Sequence, residues 1–307
     1  MSDLSDLAIP GPPSVDYVER VNRAIDHVTR HLSGPLQLDK VARVACFSPY
    51  HFHRVFRSVM GETLQGFVAR LRLERAVFLM ARAKQLRLTD IALECGFASS
   101  SDFSRSFKAR YGVPPRSFDV AAHTRDGRAR LMADREDGHR LARLPAGHNP
   151  DGFQVRMLEL AARRVAYLRV ARPYEGDHVL AAYARLMSWA RERGLADGQW
   201  LGYQWDSPDV VPPERCRHDV GLVVPEGTTV GDGVSMVRLP PMTVAEVAIA
   251  GSLDLETRAI DWLYGTWLPR SGHLPAHQPM FEAWDGEPFA HGTSEFHLRL
   301  HLAVSRG

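Results

Sequence analysis

Two short runs place basic and hydroxyl side chains at helical spacing. In SPYHFHRVFR, residues 48–57, Tyr50, His53, Arg54 and Arg57 fall on the face opposite Phe52 and Phe56. In SSSDFSRSFK, residues 99–108, Ser101, Ser104, Arg105 and Lys108 do the same opposite Phe103 and Phe107. Such faces suit nucleic acid. An arginine can pair with both acceptors on guanine, and Ser or His can donate to a base edge or a phosphate. The plainer alternative is an ordinary helical bundle with solvated basic faces.

A second constellation lies near the end of the chain. In PMFEAW, an extended backbone puts Glu282 and Trp284 on one side, where a carboxylate beside an indole can hold an organic cation. Glu246 lies in the strand-like TVAEVAIA, at a repeat position matched by Tyr167. Together with Tyr203, Tyr264 and Trp267 these residues are expected to line a groove; for each aromatic, core packing is the competing reading. Cys216 and His218 are two apart, but adjacency supplies neither an orienting third group nor an oxyanion site. HFH, HQ and HLRLH do not form a metal set, and nothing in the sequence calls for a cofactor.

The elements that must hold these residues are repeated. Ser48, Phe52, Arg54, Phe56, Gly61 and Phe67 recur 51 positions later as Ser99, Phe103, Arg105, Phe107, Gly112 and Phe118. Ser48 is expected to cap a helix, with Pro49 at its first position and Gly61 as its stop. Each copy reads as a short helix, a turn and a second helix, with a long helix through residues 65–83 between them. This predicts an all-α unit over 14–120 containing two helix-turn-helix motifs, its recognition helices about 34 Å apart. Cys46 and Cys95 are expected to be small buried residues.

The 307 residues and 45% apolar content allow two cores. Residues 1–120 hold 17 Lys/Arg against 12 Asp/Glu, so the basic excess falls on the repeated helices. Three scattered cysteines argue for a reducing compartment, and no apolar run reaches about 18 residues. A cytoplasmic protein with no membrane contact is expected, with a loose Pro-rich tail over 1–14. Residues 121–150 mix both charge signs and predict a linker with a partial helix at its centre. Residues 151–307 alternate strand-like and helical segments, and Met157, Leu160, Val165, Ala166 and Ala171 recur 79 positions later. That predicts an α+β domain built from two strand-helix-strand-strand units around a groove.

LTDIALECGFASSSDFSRSFKARYGVPPRSF resembles the signature of the AraC/XylS family of transcription regulators, and residues 38–76 resemble its first helix-turn-helix. The resemblance covers roughly 17–120. It implies base contacts by Tyr50, His53 and Arg54 and by Ser100, Ser101, Ser104 and Arg105. Small serines stand where related proteins carry longer amides, which points to weak or water-mediated reading by the second helix. LGYQWDSPDVVPPERCRHDVGLVV, with Asp209, Pro212, Pro213, Cys216, Arg217 and Asp219, resembles the GyrI-like effector-binding domain over about 153–305. That resemblance implies small, often cationic or aromatic, ligands.

The expected protein is therefore a regulator that binds double-stranded promoter DNA under control of a small-molecule effector. Two alternatives stay open at the sequence level. One is an enzyme that hydrolyses or isomerises a small molecule, with Glu282 or Glu246 as general base. The other is a ligand-independent regulator whose second half recruits RNA polymerase.

Overall fold

The computed structural model describes residues 15–133 and 144–306. The expected tail at 1–14 and part of the expected linker, 134–143, lie outside the described residues. The helical half comprises α1 (Val15–Arg30), α2 (Leu38–Val44), α3 (Pro49–Met60), α4 (Leu64–Arg82), α5 (Leu88–Glu94) and α6 (Ser100–Tyr111). Ser48 accepts the His51 N–H at 3.4 Å and Ser99 accepts the Asp102 N–H at 3.1 Å, so both recognition helices start on a serine cap. Gly61 and Gly112 end them in the left-handed conformation, φ 72° and 79°.

One helix builds both cores. Leu64, Phe67 and Leu71 of α4 pack with Phe52 and Phe56, while Leu73, Ala76, Val77 and Leu79 pack with Phe103 and Phe107. At 19 residues α4 is about 28 Å long. Cys95 is buried as expected, but Cys46 is exposed. With the register offset at 50 in this region, Cys46 corresponds to Gly96, and Cys95 to the buried Ala45. Cys46 and Gly96 are the turn residues, at φ 56° and 81°, which excludes Cys46 from the core.

The linker expectation needs correction. Residues Val120–Ala133 form a helix, α7, so the segment is helical from its beginning; its expected centre lies outside the described residues. It packs on α4 and on the second half. A Cβ on Gly127 would lie 2.3 Å from the Asp209 carbonyl oxygen, so only glycine permits this approach. Arg128 pairs with Asp261 at 2.9 Å, and the same carboxylate accepts the Leu144 N–H at 3.0 Å.

The second half is one antiparallel sheet with two long helices. Its elements are β1 (Arg156–Leu160), β2 (Arg163–Ala171), α8 (His178–Arg191), β3 (Trp200–Gln204), β4 (Arg217–Val224), β5 (Ser235–Leu239), β6 (Met242–Gly251), α9 (Leu253–Trp262), β7 (His273–Pro275), β8 (Met280–Trp284) and β9 (Phe296–Arg306). The strand order is β1-β6-β9-β8-β3-β4-β2-β5, with β7 on β9. The order is pseudo-symmetric about the β3–β8 pair. Each copy carries a leading strand beyond the expected unit, β1 or β5, which crosses to pair with the other copy's β6 or β2, and the second copy adds β7. Strand alternation sends Trp200, Val220, Leu222, Leu298 and Leu300 toward α8 and α9. Val165, Leu201, Val244 and Phe281 point to the other face. Among the described residues, no helix is long and apolar enough to cross a membrane.

Candidate nucleic-acid interface and ligand cavity

Tyr50, His53, Arg54 and Arg57 on α3 are all exposed, as are Ser100, Ser101, Ser104, Arg105 and Lys108 on α6. Tyr50 is 77% exposed, far more than a tyrosine usually leaves to water. Arg54, Arg57 and Lys108 form no ion pair among the described residues, and Arg105 approaches Asp102 only at 4.0 Å. Both helices therefore offer basic groups that folding has not neutralised. Phe52, Phe56, Phe103 and Phe107 anchor them from behind.

The seven residues expected to line one groove are divided between the two sheet faces. Tyr167, Tyr203 and Glu246 lie on the face away from α8 and α9. Tyr167 donates to Asp26 of α1 at 2.7 Å. Tyr203 stacks on Phe281, with centroids 4.7 Å apart. Glu246 meets His301 at 2.9 Å and Arg156 at 3.2 Å. Glu282 and Trp284 do share a side, but it is the helix-facing one. There Trp284 packs in the core against Tyr183, Phe289 and Phe296. Trp267 stacks on His273 at 6.0 Å. Tyr264 is the one of the seven that lines the main cavity.

That cavity, about 240 Å³, lies between the two halves. Its walls come from α4 and α7, from α9, and from the segment running out of β3. Phe78 of α4 meets Tyr264 edge to face at 5.6 Å, and Arg82 lies over the same ring at 4.9 Å while pairing with Asp209 at 2.8 Å. Arg75, one turn earlier, donates to the Pro275 and Ala276 carbonyls at 3.2 and 3.0 Å. These residues recur every three or four positions, so one face of α4 belongs to the second half.

One carboxyl of the cavity wall is paired with a second that does not itself line the space. Glu256 of α9 lines the space and is hydrogen-bonded to Glu282, one layer behind it. Gln204 donates to Glu282 at 2.8 Å. A Cβ at residue 202 would sit 2.5 Å from a Glu282 oxygen, so Gly202 makes the room. Burial and the Glu282 charge push the Glu256 carboxyl well above the ordinary range. His218, on the same sheet face, is held below its ordinary value by burial and brings no counter-charge. Among the described residues no Lys or Arg is bonded to either carboxyl, and no cluster of three or more His, Cys, Asp or Glu could hold a metal ion. Cys216 is buried among the side chains of α4–α6, its thiol 3.6 Å from the Val211 carbonyl and raised by burial. Neither carboxylate assigned as general base in the enzyme reading lines the cavity.

Sequence reasoning missed Glu256, Gln204, Trp205 and Phe78. Glu256 carries a visible signal: in LDLETRAIDWLY it stands on the stripe 253, 256, 260, 264, a carboxylate where the helix face is otherwise apolar. Phe78 carries none, since a phenylalanine on a two-core helix reads as core.

Residues 41–119 match the family model described as helix-turn-helix domain, and residues 153–304 match the GyrI-like small molecule binding domain. A DNA gyrase inhibitor of Edwardsiella ictaluri (strain 93-146) is 31% identical over 166 residues, covering 50% of this chain and 99% of that protein. The probable transcriptional regulator LumQ of Photobacterium leiognathi is 35% identical over 100 residues, 32% of this chain and 40% of that protein. Among solved structures, a transcriptional regulator with an AraC-type DNA-binding domain from Chromobacterium violaceum aligns at 24% identity and a TM-score of 0.31, over 34% of this chain and 91% of that one. With its duplicated helix-turn-helix and its strand-exchanged sheet, this chain belongs to the AraC family of DNA-binding transcriptional regulators and carries a GyrI-like small-molecule-binding domain as its second half.

Proposed function

We propose that α3 and α6 read two successive major-groove segments of promoter DNA, and that an organic cation in the interdomain cavity sets how they do so. The observation that carries this reading is the cavity itself. It is open, its wall carries the Glu256 carboxyl, which is hydrogen-bonded to Glu282 and has no cationic partner among the described residues, and another part of its wall is a helix of the DNA-binding half. Two carboxyls in contact keep one proton between them and leave one negative charge, which the positive group of a ligand can meet. The rings of Phe78, Trp205 and Tyr264 supply the apolar wall for an aromatic body. An open cavity favours a ligand over a contact with RNA polymerase as the controlling input.

Calorimetry of the full chain with benzyltrimethylammonium and its uncharged isostere neopentylbenzene tests the charge. The cation should bind more tightly than the isostere, and the double variant Glu256→Gln/Glu282→Gln should lose that preference. Equal affinities in the parent protein would contradict the proposal.

A further inference from the structure

The two DNA-reading units are fastened to different parts of the second half. The first is held by the sheet. Asp26 of α1 accepts from Tyr167 at 2.7 Å and from Arg169 at 2.8 Å, and Arg169 also pairs with Asp219 at 2.7 Å. Arg30 donates to the Arg238 carbonyl at 3.3 Å, and His277 meets the Thr29 carbonyl at 2.9 Å. These contacts reach β2, β4, β5 and the β7–β8 connection.

The second unit is held by a loop. Val210, Val211 and Cys216, each nearly inaccessible, insert into the core formed by α4, α5 and α6 beside Phe103 and Phe107. The core of the second helix-turn-helix is therefore completed by the other half of the chain. The core of the first is assembled within 17–71. His123 of α7 meets the Val210 carbonyl at 3.1 Å, and Gly127 abuts Asp209.

The loop connecting β3 to β4 is built to move as one piece. Asp206 and Arg217 close its base through two hydrogen bonds of 2.8 Å, with a third from the Arg217 N–H at 2.9 Å. Inside it, the Val210 and Val211 N–H groups both reach the Ser207 carbonyl, at 2.9 and 2.8 Å, and Pro208, Pro212 and Pro213 stiffen the turn. Its base leans on α4, where Arg217 lies 5.7 Å from the Phe67 ring centroid, but its apolar tip goes to the second core alone. Residues 205–211 also line the cavity. One face of the loop thus meets the ligand space while the other fills the second core.

We propose that the loop spanning residues 205–216 is the transmission element, and that cavity occupancy acts on the second DNA-reading helix while leaving the first in place. The proposal rests on the cavity being the effector site, and its test separates the two ideas. A ligand that displaces Asp209 shifts Val210 and Val211, whose removal from the core loosens the seat of Phe103 and Phe107 behind α6. Thr29, Leu32 and Leu71 of the first unit also border the cavity, but its core takes no side chain from the loop and neither α2 nor α3 lines the space, so these two helices keep their position.

Hydrogen exchange of the full chain with and without benzyltrimethylammonium reads the effect directly. Exchange should change in 205–216, α5 and α6, and stay constant in α2 and α3. A change of equal size in both units, or in neither while the cation binds, overturns the transmission role and leaves the cavity reading standing. Val211→Ala tests the loop without any ligand. On a duplex selected from a random pool, the full-length variant should lose discrimination severalfold for base changes under α6 and keep it under α3. Equal loss at both half-sites, or none, overturns the proposal even if the cation fails to bind. Failure of the cation to bind, with the Val211→Ala result as expected, removes the effector assignment and keeps the loop.

Discussion

At the scale of single residues, exposure and charge separate the two kinds of site. Arg54 is exposed, has no ion-pair partner among the described residues, and is fixed by Phe52 and Phe56 beneath it. Arg54→Ala is expected to cost about 1–3 kcal/mol on the selected duplex if the guanidinium pairs with a guanine. Titrations at one salt concentration on cognate and scrambled duplexes check this; equal losses on both would place Arg54 on phosphate. Glu256 is the opposite case, a buried acid whose folded-state value lies well above its ordinary 4.5. The folded protein keeps a proton that the unfolded chain gives up. The stabilising contribution is present in full below the unfolded value and is lost as pH rises toward the folded one. Denaturant unfolding of Glu256→Gln should lack this decline, whose slope in the parent is up to about 1.4 kcal/mol per pH unit. Parallel pH profiles for parent and variant would show that the proton is not shared. The serine caps, glycine stops and core phenylalanines could be read from the sequence because each follows from local geometry. The division of Tyr167, Tyr203 and Glu246 from Glu282 could not, since strand alternation fixes relative faces only within one strand.

At the scale of elements, two segments turned out to join the halves. The stretch 121–150 reads as a linker because AAHTRDGRARLMA has no broad apolar stripe. Its buried positions are Thr124, Gly127 and Leu131, two small residues and one leucine, which reveal a close approach only once the partner is known. Gly127→Val puts side-chain atoms into the Asp209 backbone, so the full chain should lose about 1–3 kcal/mol of stability by thermal or denaturant unfolding. An unchanged midpoint would mean α7 is not docked there. The loop between β3 and β4 carries a family-like pattern, yet its destination in another unit's core has no local signature. A fragment of residues 15–133 should accordingly keep slow amide exchange in α1–α3 and lose it in α5 and α6, because only the second core lacks its Val210, Val211 and Cys216. Equal protection in both units would show that the loop is dispensable for folding.

At the scale of the whole molecule, one long helix spaces the two helices proposed to read DNA, and a small-molecule-binding domain grips that helix along one face. The internal repeat announced both duplications, while the strand exchange between β1 and β5 stayed hidden because pairing partners are not encoded by period. The central claim is that each helix reads its own groove segment. Hydroxyl-radical footprinting of the full chain on a duplex selected from a random pool tests it most directly, comparing the parent with Arg54→Ala and Arg105→Ala. Two protected patches are expected about 34 Å apart along the duplex, with each substitution weakening a different one. A single patch, or one patch weakened by both substitutions, would contradict the account.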